Sequence, residues 1–191
     1  DGHAQAALLG TYLATEHLDA VYASPLRRAM QTAGPVVADR TVGGEPMELR
    51  IEPDVAEFDK DSSEYVPVEE LKAANDPRWQ AMLAGEWEPG GDESREEFEG
   101  RVLAAIERIV AAHRGERVAV VCHGGVINTY LAHVLRLPDD DALFSRGFFY
   151  PNYTSVHRVT ASSTGLRSIG TINETAHLRG SGLPIGMGLR G

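Results

Sequence analysis

The architecture of this chain rests on one stretch, Arg117-Val118-Ala119-Val120-Val121-Cys122-His123-Gly124-Gly125-Val126-Ile127-Asn128. It opens as a valine-rich apolar run, which is too short for a buried helix and is typical of an interior strand in a parallel sheet. A histidine and two glycines end the run. Apolar residues then recur at helical spacing, at Val126, Ile127, Tyr130, Leu131, Val134 and Leu135. The stretch therefore predicts a strand, a turn and a helix, with His123 at the junction.

The turn at His123 has the composition of an anion site. Gly124 and Gly125 allow the backbone to bend sharply and to approach a ligand closely, and the free N–H groups at a helix start attract negative charge. A phosphate beside His123 would suit this geometry. A histidine that ends a core strand is more often a hydrogen-bonded structural residue, so the turn alone does not establish a functional site.

Length, charge and cysteine content limit the classes of protein to consider. A chain of 191 residues fits one domain with a sizeable core. The formal net charge of −10 disfavours binding to nucleic acid or to an anionic membrane, so an anionic substrate requires a local basic pocket. No run reaches the roughly 18 apolar residues of a membrane span. The single cysteine, Cys122, excludes an internal disulfide framework and is expected to be a buried structural thiol, so we expect a cytoplasmic protein.

Two helices and a strand are predicted at the start of the sequence. The pattern indicates an amphipathic helix over residues 1–19, a buried strand over 19–24 and a second helix over 26–39. The core face of the second helix is expected to contain Leu26, Ala29, Met30, Ala33, Val36 and Val37. Arg27 and Arg28 lie near its start, where positive charge opposes the helix dipole. The pair indicates either an anion site, with Arg28 as the preferred ligand, or two solvated surface arginines.

The character of the sequence changes over residues 54–92. Acidic residues accompany two short predicted helices, at 68–74 and 77–84, and four spaced aromatics, Phe58, Tyr65, Trp79 and Trp87. We expect a cap inserted at about 54–92, since loops of this length are uncommon in compact domains unless they are functional. A long surface excursion that packs its own tryptophans is the alternative. A strand with one wet face, over 47–52, precedes the insert.

The rest of the sequence completes an alternation of helices and strands. A capping box, Ser94-Arg95-Glu96-Glu97, opens a long helix. Strands are predicted at 153–159 and 166–172, and the glycine-rich segment at about 179–191 is expected to be a flexible tail. The alternation predicts a single α/β domain over 1–191, a three-layer sandwich in which a mostly parallel central sheet is flanked by helices.

Two of the predicted strand ends carry the candidate anion ligands. Ligands of parallel α/β sheets bind at the carboxyl ends of the strands. Residues 24–28 and 122–125 both follow such ends, so Arg28 and His123 are expected to converge although 95 positions separate them. This convergence favours a phosphate site over two unrelated structural features.

Three segments resemble, in order and interval, successive motifs of the histidine phosphatase superfamily, which includes the phosphoglycerate mutases. They are Ser24-Pro25-Leu26-Arg27-Arg28-Ala29-Met30-Gln31-Thr32-Ala33, Ala56-Glu57-Phe58 and Val120-Val121-Cys122-His123-Gly124-Gly125-Val126-Ile127. Residues 173–178 are also similar, so the resemblance covers most of residues 1–178. It implies a phosphoglycerate mutase-like α/β fold and an activity that passes through a covalent phosphohistidine.

The resemblance implies roles for individual residues. Arg28 is similar to a phosphate-binding arginine of the family and His123 to the second histidine of its pocket, with Gly124 at the helix start beside them. Glu57 resembles the proton donor to the leaving group; Asp54 and Asp59 compete for that role, and a surface carboxylate is the alternative for Glu57. No metal or cofactor is expected, because the sequence has no paired His or Cys spacing and no P-loop lysine motif.

One motif of the family does not occur in these 191 residues. The family's first strand ends in Arg-His-Gly, whose histidine accepts the phosphoryl group, and no such tripeptide is present. His3 does not replace it, because residues 1–6 match the helix that follows the nucleophile loop. We therefore expect a leading strand and loop of roughly 20 to 35 residues upstream of Asp1 in the complete protein. Without this segment the sheet lacks a central strand.

The sequence thus predicts a phosphomonoesterase whose nucleophile lies upstream of residue 1. A phosphoglycerate mutase is less favoured, because the segment after Glu57 does not resemble the mutase pattern. A non-catalytic phosphate-binding or scaffold protein that has lost the nucleophile motif is the alternative from another class. The expected partner is a small phosphorylated substrate, with a homodimer as a possible assembly and with neither nucleic acid nor membrane bound.

Overall fold

Helices and strands alternate along the chain as predicted. The computed structural model describes residues 1–58, 66, 68–84, 93–137 and 149–186. Within these residues the elements are α1 (Gly2–Leu13), β1 (Ala20–Ala23), α2 (Arg27–Val37), β2 (Thr41–Val42), β3 (Glu45–Pro46), β4 (Leu49–Ile51), α3 (Val68–Ala73), α4 (Pro77–Ala84), α5 (Arg95–Ala112), β5 (Val118–Val121), α6 (Gly124–Leu135), β6 (Val156–Ala161) and β7 (Arg167–Glu174). Two 3-10 turns, Pro53–Val55 and Ala176–Leu178, complete the order.

A parallel sheet in the order β4-β1-β5 forms the centre of the molecule. Ala23, the last residue of β1, is in register with Ile51 of β4 and Val121 of β5, so the three strands end at the same edge. Three of the four β1 residues are buried, as expected of a strand with a neighbour on each side. The predicted α/β fold with a parallel central sheet is confirmed.

Alternate side chains of β5 enter two separate hydrophobic cores. Ala119 and Val121 pack with the α1 and α2 side, against the cluster Leu9, Leu13, Leu18, Val21, Val36 and Met47. Val120 and Cys122 pack with the α5 and α6 side, against the cluster Val55, Phe58, Phe98, Val102, Ala105, Ile106 and Val126. Because successive residues of a strand point to opposite faces of its sheet, helices cover both faces. This arrangement is the predicted three-layer sandwich.

The helix faces match the predicted pattern with specific differences. Ala29, Ala33 and Val36 of α2 are buried, whereas Met30, which was placed on the core face, is 37% exposed. The reason is the close crossing of α1 and α2, in which a Cβ at Gly10 would lie 2.5 Å from the backbone oxygen of Pro35. The side of α2 that contains Pro35 therefore contacts α1, and Met30 is left exposed. The capping box at the start of α5 is present as predicted, with Ser94 and Glu97 bonding reciprocally.

The predicted insert contains both of its short helices, α3 and α4. The Asp76 carboxylate accepts the N–H of Arg78 at 2.8 Å and so caps the start of α4. Phe58 differs from its expected place in a cap, because it stacks on Phe98 at 3.5 Å between ring centroids and belongs to the main core. Tyr65 and Trp87 lie outside the described residues, and the cap at 54–92 stays a prediction.

The strands near the end of the chain form a separate antiparallel pair, β6 with β7. In the part of the chain that the structure describes, β5 pairs with β1 alone, and its four residues are only half-buried.

The predicted tail at 179–191 is described as far as Gly186. There the carbonyl oxygens of Pro184 and Ile185 accept hydrogen bonds from Gln5 and Tyr153, and the flexible tail at 179–191 stays a prediction.

The described helices give no candidate for a membrane span. None of those in residues 1–58, 66, 68–84, 93–137 and 149–186 is both long enough and apolar enough to cross a bilayer. The longest of these helices, α5, has 18 residues, and seven of them are charged.

Candidate functional site at the carboxyl edge of the sheet

The carboxyl ends of the three parallel strands are held together by backbone hydrogen bonds. Ser24, immediately after β1, donates its N–H to the carbonyl oxygen of Val121 at the end of β5, at 3.0 Å. On the other side, Glu52 donates its N–H to the carbonyl oxygen of Ala23 at 2.9 Å. The chain therefore leaves β1, β4 and β5 at one edge, and the segments that follow carry all the predicted site residues.

His123 occupies the junction between β5 and α6, as predicted. It is the N-cap residue of α6, with extended backbone angles, and it is 8% exposed. Its side chain does not cap the helix. Instead, its Nε2 atom lies 2.7 Å from the hydroxyl oxygen of Ser24, which is fully buried. The two strand ends are thus joined by a side-chain hydrogen bond as well as by the backbone.

Glu57 lies against the start of the same helix. Its Oε2 atom accepts the N–H of Gly125 at 2.8 Å, and its Oε1 atom accepts the N–H of Phe58 at 3.2 Å. A carboxylate is stabilised at a helix start by the unpaired N–H groups and the helix dipole. Gly125 is required for this approach, because a Cβ at that position would lie 2.3 Å from Oε1 of Glu57.

Arg101 of α5 fixes the segment that carries Glu57. Its Nη1 atom donates to the carbonyl oxygens of Asp54 and Ala56, both at 2.8 Å. Its other guanidinium atoms hold the Glu93 carboxylate at 2.5 and 2.7 Å. This planar fork joins α5 to the two residues on either side of Val55, which is itself buried. The backbone of the segment is therefore rigidly attached one residue before Glu57.

The competing carboxylates are placed differently. Asp54 pairs with Arg108 at 3.2 Å, and its side chain is 45% exposed on the outer side of the 3-10 turn. Asp59 lies outside the described residues. Of the two carboxylates that can be compared, Glu57 is the one at the helix that begins beside His123.

Arg28 lies in the first turn of α2, which follows Ser24. The hydroxyl oxygen of Ser24 accepts the N–H of Leu26 at 3.2 Å and so fixes the start of this helix. Arg28 is half-buried, whereas its neighbour Arg27 is exposed. The difference in burial agrees with the preference for Arg28 over Arg27 as a ligand, and a role in phosphate binding stays a prediction.

Two further polar features adjoin the start of α6. Asn128 is 4% exposed; its amide donates to the carbonyl oxygen of Gly124 at 2.8 Å, and its Oδ1 atom has no hydrogen-bond partner among the described residues. Burial raises the pKa of the Cys122 thiol to about 12, and the negative charge of Glu57 adds to this shift. Cys122 is consequently a neutral thiol at physiological pH, as expected of a structural cysteine.

The described part of this edge has no cluster of metal ligands. Over residues 1–58, 66, 68–84, 93–137 and 149–186, no group of three or more His, Cys, Asp or Glu side chains is arranged to hold a metal ion. The donor atoms at the site are instead an imidazole, a serine hydroxyl and backbone N–H groups. Such a set favours an oxygen-rich anion over a cation.

Two residues of this site had no predicted role. Ser24 begins the quoted motif at residues 24–33. Its role could have been predicted from its spacing, because a serine directly after a strand and two residues before a free N–H is typical of a serine turn. The role of Arg101 could not be predicted from the sequence, because an arginine on a helix resembles any surface arginine until its partners are known.

Known proteins are similar to this chain over most of its length. A sequence model of the histidine phosphatase superfamily (branch 1) matches residues 1–175. The chain belongs to this superfamily. Phosphoglycerate mutase-like protein 4 of Arabidopsis thaliana is 30% identical over 132 residues, which cover 67% of this chain and 56% of the relative. Phosphoserine phosphatase 1 of Hydrogenobacter thermophilus is 28% identical over 179 residues, which cover 93% and 80%.

A solved structure has the same overall fold. Bacillus stearothermophilus YhfR superposes on this superfamily member with a TM-score of 0.71 at 25% identity, covering 92% of this chain and 84% of that chain. The predicted family and fold are thereby confirmed. The chain spans about half the length of two curated relatives that it matches, at 56% and 45%.

Proposed function

We propose that the chain carries most of the active site of a phosphomonoesterase that acts through a phosphohistidine. The observation that carries this proposal is the pair of side-chain contacts at the sheet edge. Ser24 touches His123 at 2.7 Å, and Glu57 touches Gly125 at 2.8 Å, so three segments distant in sequence meet at the start of α6. A strand edge with an imidazole, a carboxylate and helix N–H groups suits the transfer of an anionic group.

The phosphate pocket consists of Arg28, His123 and Gly124 at the start of α6. Arg28 offers a planar set of N–H donors, which can bind two phosphate oxygens at once. His123 adds a ring N–H, and the helix start adds backbone N–H groups and a favourable dipole. These donors stabilise the negative charge of the transferred phosphoryl group. A local concentration of donors also explains how a chain with a net charge of −10 can attract an anion.

Glu57 is the proton donor in this proposal. In the first step a histidine nitrogen forms a bond to phosphorus, the bond from phosphorus to the substrate oxygen breaks, and the protonated Glu57 gives its proton to that oxygen. In the second step water attacks phosphorus, the P–N bond breaks, and the Glu57 carboxylate takes the proton from water. Inorganic phosphate and the dephosphorylated alcohol are the products.

The nucleophilic histidine is proposed to lie upstream of residue 1, at the end of a strand that joins the sheet beside β5. Within the described residues, β5 has a partner on one side alone, and its residues are half-buried although β1 is buried. Val156 of β6 and Val121 of β5 pack against the same core cluster, and the proposed strand would lie between β5 and β6. Its carboxyl end would then reach the edge that carries His123.

The proposed substrate is a small phosphorylated compound such as phosphoserine. The name of the Hydrogenobacter thermophilus relative, phosphoserine phosphatase 1, supports this choice, and that relative matches 93% of the chain. A mutase would instead return the phosphoryl group to a hydroxyl of the same or another substrate molecule. Release of inorganic phosphate therefore separates the two activities.

The proposal is tested with the protein expressed from its whole coding sequence. Phosphate release from phosphoserine and from p-nitrophenyl phosphate should be observed, and His123→Ala should lower kcat/KM by roughly 10² to 10³, the usual cost of removing one transition-state donor. His133→Ala is the matched control, because His133 is an exposed histidine at the opposite end of α6. Binding of vanadate without any turnover would instead support a non-catalytic phosphate-binding protein.

A further inference from the structure

We propose that Ser24 is a positioning residue that fixes the orientation and the tautomer of His123. The benefit of this positioning to catalysis rests on the proposed function, whereas the hydrogen bond between the two residues does not. Ser24 is fully buried and His123 is 8% exposed, so water does not compete for the contact between them. The distance from the hydroxyl oxygen to Nε2 is 2.7 Å, a short and well-formed hydrogen bond.

The hydrogen bonds of the Ser24 hydroxyl determine which atom donates. A serine hydroxyl has one proton to donate and two lone pairs to accept. One lone pair accepts the Leu26 N–H at 3.2 Å, and His123 is the remaining polar partner of this oxygen among the described residues. A buried hydroxyl proton requires an acceptor. Ser24 therefore donates to Nε2, and the ring proton of the neutral histidine resides on Nδ1.

The serine oxygen is itself held in place from two sides. The Ser24 N–H donates to the carbonyl oxygen of Val121 at 3.0 Å, which ties the residue to β5, and the Leu26 N–H ties it to α2. The imidazole is therefore oriented by groups that belong to both strand ends. Because α2 also carries Arg28, the same serine sets the spacing between the two proposed phosphate ligands.

In the phosphate pocket, this hydrogen bond determines which ring nitrogen of His123 can donate an N–H. With Nε2 acting as an acceptor from Ser24, the N–H of the neutral ring is at Nδ1. Loss of the serine hydroxyl would remove the donor that keeps Nε2 unprotonated and would let Nε2 carry the proton. The inferred role is thus orientation of a donor through a second residue, and Ser24 need not touch the phosphate itself.

The tautomer can be measured directly by ¹⁵N NMR of the imidazole nitrogens at about pH 8, above the ordinary histidine pKa of about 6.5. Protonated and unprotonated ring nitrogens have well-separated ¹⁵N shifts, and the His123 signals are assigned by their loss in His123→Asn. We expect Nε2 to be unprotonated and Nδ1 protonated in the parent protein. Ser24→Ala should produce a mixture of tautomers, and Ser24→Thr, which keeps the hydroxyl, should restore the parent spectrum.

Ser155 provides a matched control. Its hydroxyl oxygen lies 3.0 Å from Nε2 of His157, in the β6 strand region rather than at the sheet edge. Ser155→Ala should alter the signals of His157 and leave those of His123 unchanged. A protonated Nε2 on His123 in the parent protein, or a tautomer that Ser24→Ala does not change, would overturn the inference. The parent measurement does not need Ser24→Ala, so it decides the question even if that variant does not fold.

The NMR result is independent of activity, so the two proposals can fail separately. In an active phosphatase, Ser24→Ala should also raise the vanadate inhibition constant several-fold, while Ser24→Thr should keep the parent value. The expected tautomer in a protein without phosphate release would support the role of Ser24 and reject the proposed function. Unchanged vanadate inhibition in Ser24→Ala would reject the role of Ser24 even if phosphatase activity is present.

Discussion

Glu57 and Gly125, 68 positions apart in sequence, meet through a hydrogen bond of 2.8 Å from the glycine N–H to the carboxylate. The contact exists because Gly125 has no side chain: a Cβ there would lie 2.3 Å from Oε1 and 3.1 Å from the carboxyl carbon. The neighbouring Gly124 is different, since a Cβ at that position would meet no atom within 4 Å. The second glycine of the turn is therefore coupled to the proposed proton donor.

Gly125→Ala should displace Glu57 without unfolding the protein. The colliding atoms are the far end of a flexible side chain, and alanine in a helix is more favourable than glycine by up to about 1 kcal/mol, so the Tm should not fall. Hydrolysis of an alkyl phosphate such as phosphoserine should slow by roughly 10- to 100-fold more than hydrolysis of p-nitrophenyl phosphate. Gly124→Ala should preserve the ratio of the two rates. A ratio that also stays constant in Gly125→Ala would show that the position of Glu57 does not matter for the reaction.

Glu57→Gln isolates proton donation from substrate binding. If Glu57 protonates the leaving oxygen, the variant should lose roughly 10² to 10⁴ in rate with an alkyl phosphate. It should lose far less with p-nitrophenyl phosphate, because that phenolate leaves without much protonation. Steady-state rates with both substrates are the measurement. Asp54→Asn is the control, since Asp54 pairs with Arg108 on the outer side of the turn. Equal losses with both substrates in Glu57→Gln would reject the assignment.

Arg28→Ala should weaken phosphate and vanadate binding while the fold stays intact. Removal of a charge-assisted hydrogen bond costs about 1.5 to 3 kcal/mol, which corresponds to a loss of roughly ten- to over a hundredfold in affinity. Arg28 lies outside the core face of α2, whose buried residues are Ala29, Ala33 and Val36, so the Tm should change little. Arg27→Ala, an exposed neighbour, should bind vanadate like the parent. Similar affinities for all three proteins would mean that Arg28 is only a surface charge.

Arg158 should make stability depend on pH in the acidic range. Its guanidinium holds Glu16 through bonds of 2.6 and 2.8 Å, and these bonds lower the pKa of Glu16 below its ordinary value of 4.5. A carboxylate with a lowered pKa stabilises the fold above its unfolded pKa, and this contribution is lost as pH falls through the folded pKa. Arg158→Gln should therefore lower the free energy of unfolding by roughly 1 to 2 kcal/mol at pH 7, and by less below about pH 4.5. The value at pH 7 already allows for the partial exposure of both side chains to solvent.

The control for this ion pair is Arg117, a second arginine near the same carboxylate. Arg117 lies 3.6 Å from Glu16 and its side chain is 61% exposed, so Arg117→Gln should cost less than about 0.5 kcal/mol. The free energies of unfolding are measured by urea titration at pH 7 and pH 3.5. An Arg158→Gln effect that is the same at both pH values would contradict the role of Glu16.

The sequence allowed accurate prediction where local chemistry determines structure. The valine run and the following helical spacing located β5, His123 and α6, because strand and helix each follow from neighbouring side chains, although α6 begins at Gly124, two residues before the first apolar position of that spacing. The capping box at Ser94 likewise located the start of α5. The rule that parallel strands end at one edge predicted that residues 24–28 and 122–125 approach each other, and the contact between Ser24 and His123 lies between these segments.

The remaining features depend on contacts between distant parts of the chain. The attachment of the Glu57 segment comes from Arg101, 44 positions later, and no local pattern distinguishes that arginine from a surface residue. Phe58 was expected in a cap and belongs to the core because Phe98 stacks on it. Met30 has the right spacing for the core face, yet the crossing of α1 over α2 at Gly10 and Pro35 leaves it exposed. Such partners are determined by packing, which spacing does not specify.

Trapping of a phosphoenzyme is a direct test of the proposed phosphohistidine mechanism. The protein expressed from its whole coding sequence is mixed with ³²P-labelled phosphoserine, quenched within milliseconds, and its labelled peptide is identified. The account predicts one phosphoryl group per chain, stable to alkali and labile to acid as expected of phosphohistidine, on a peptide upstream of Asp1. Turnover without any labelled protein, or a label on His3, on His123 or on a residue other than histidine, would contradict it.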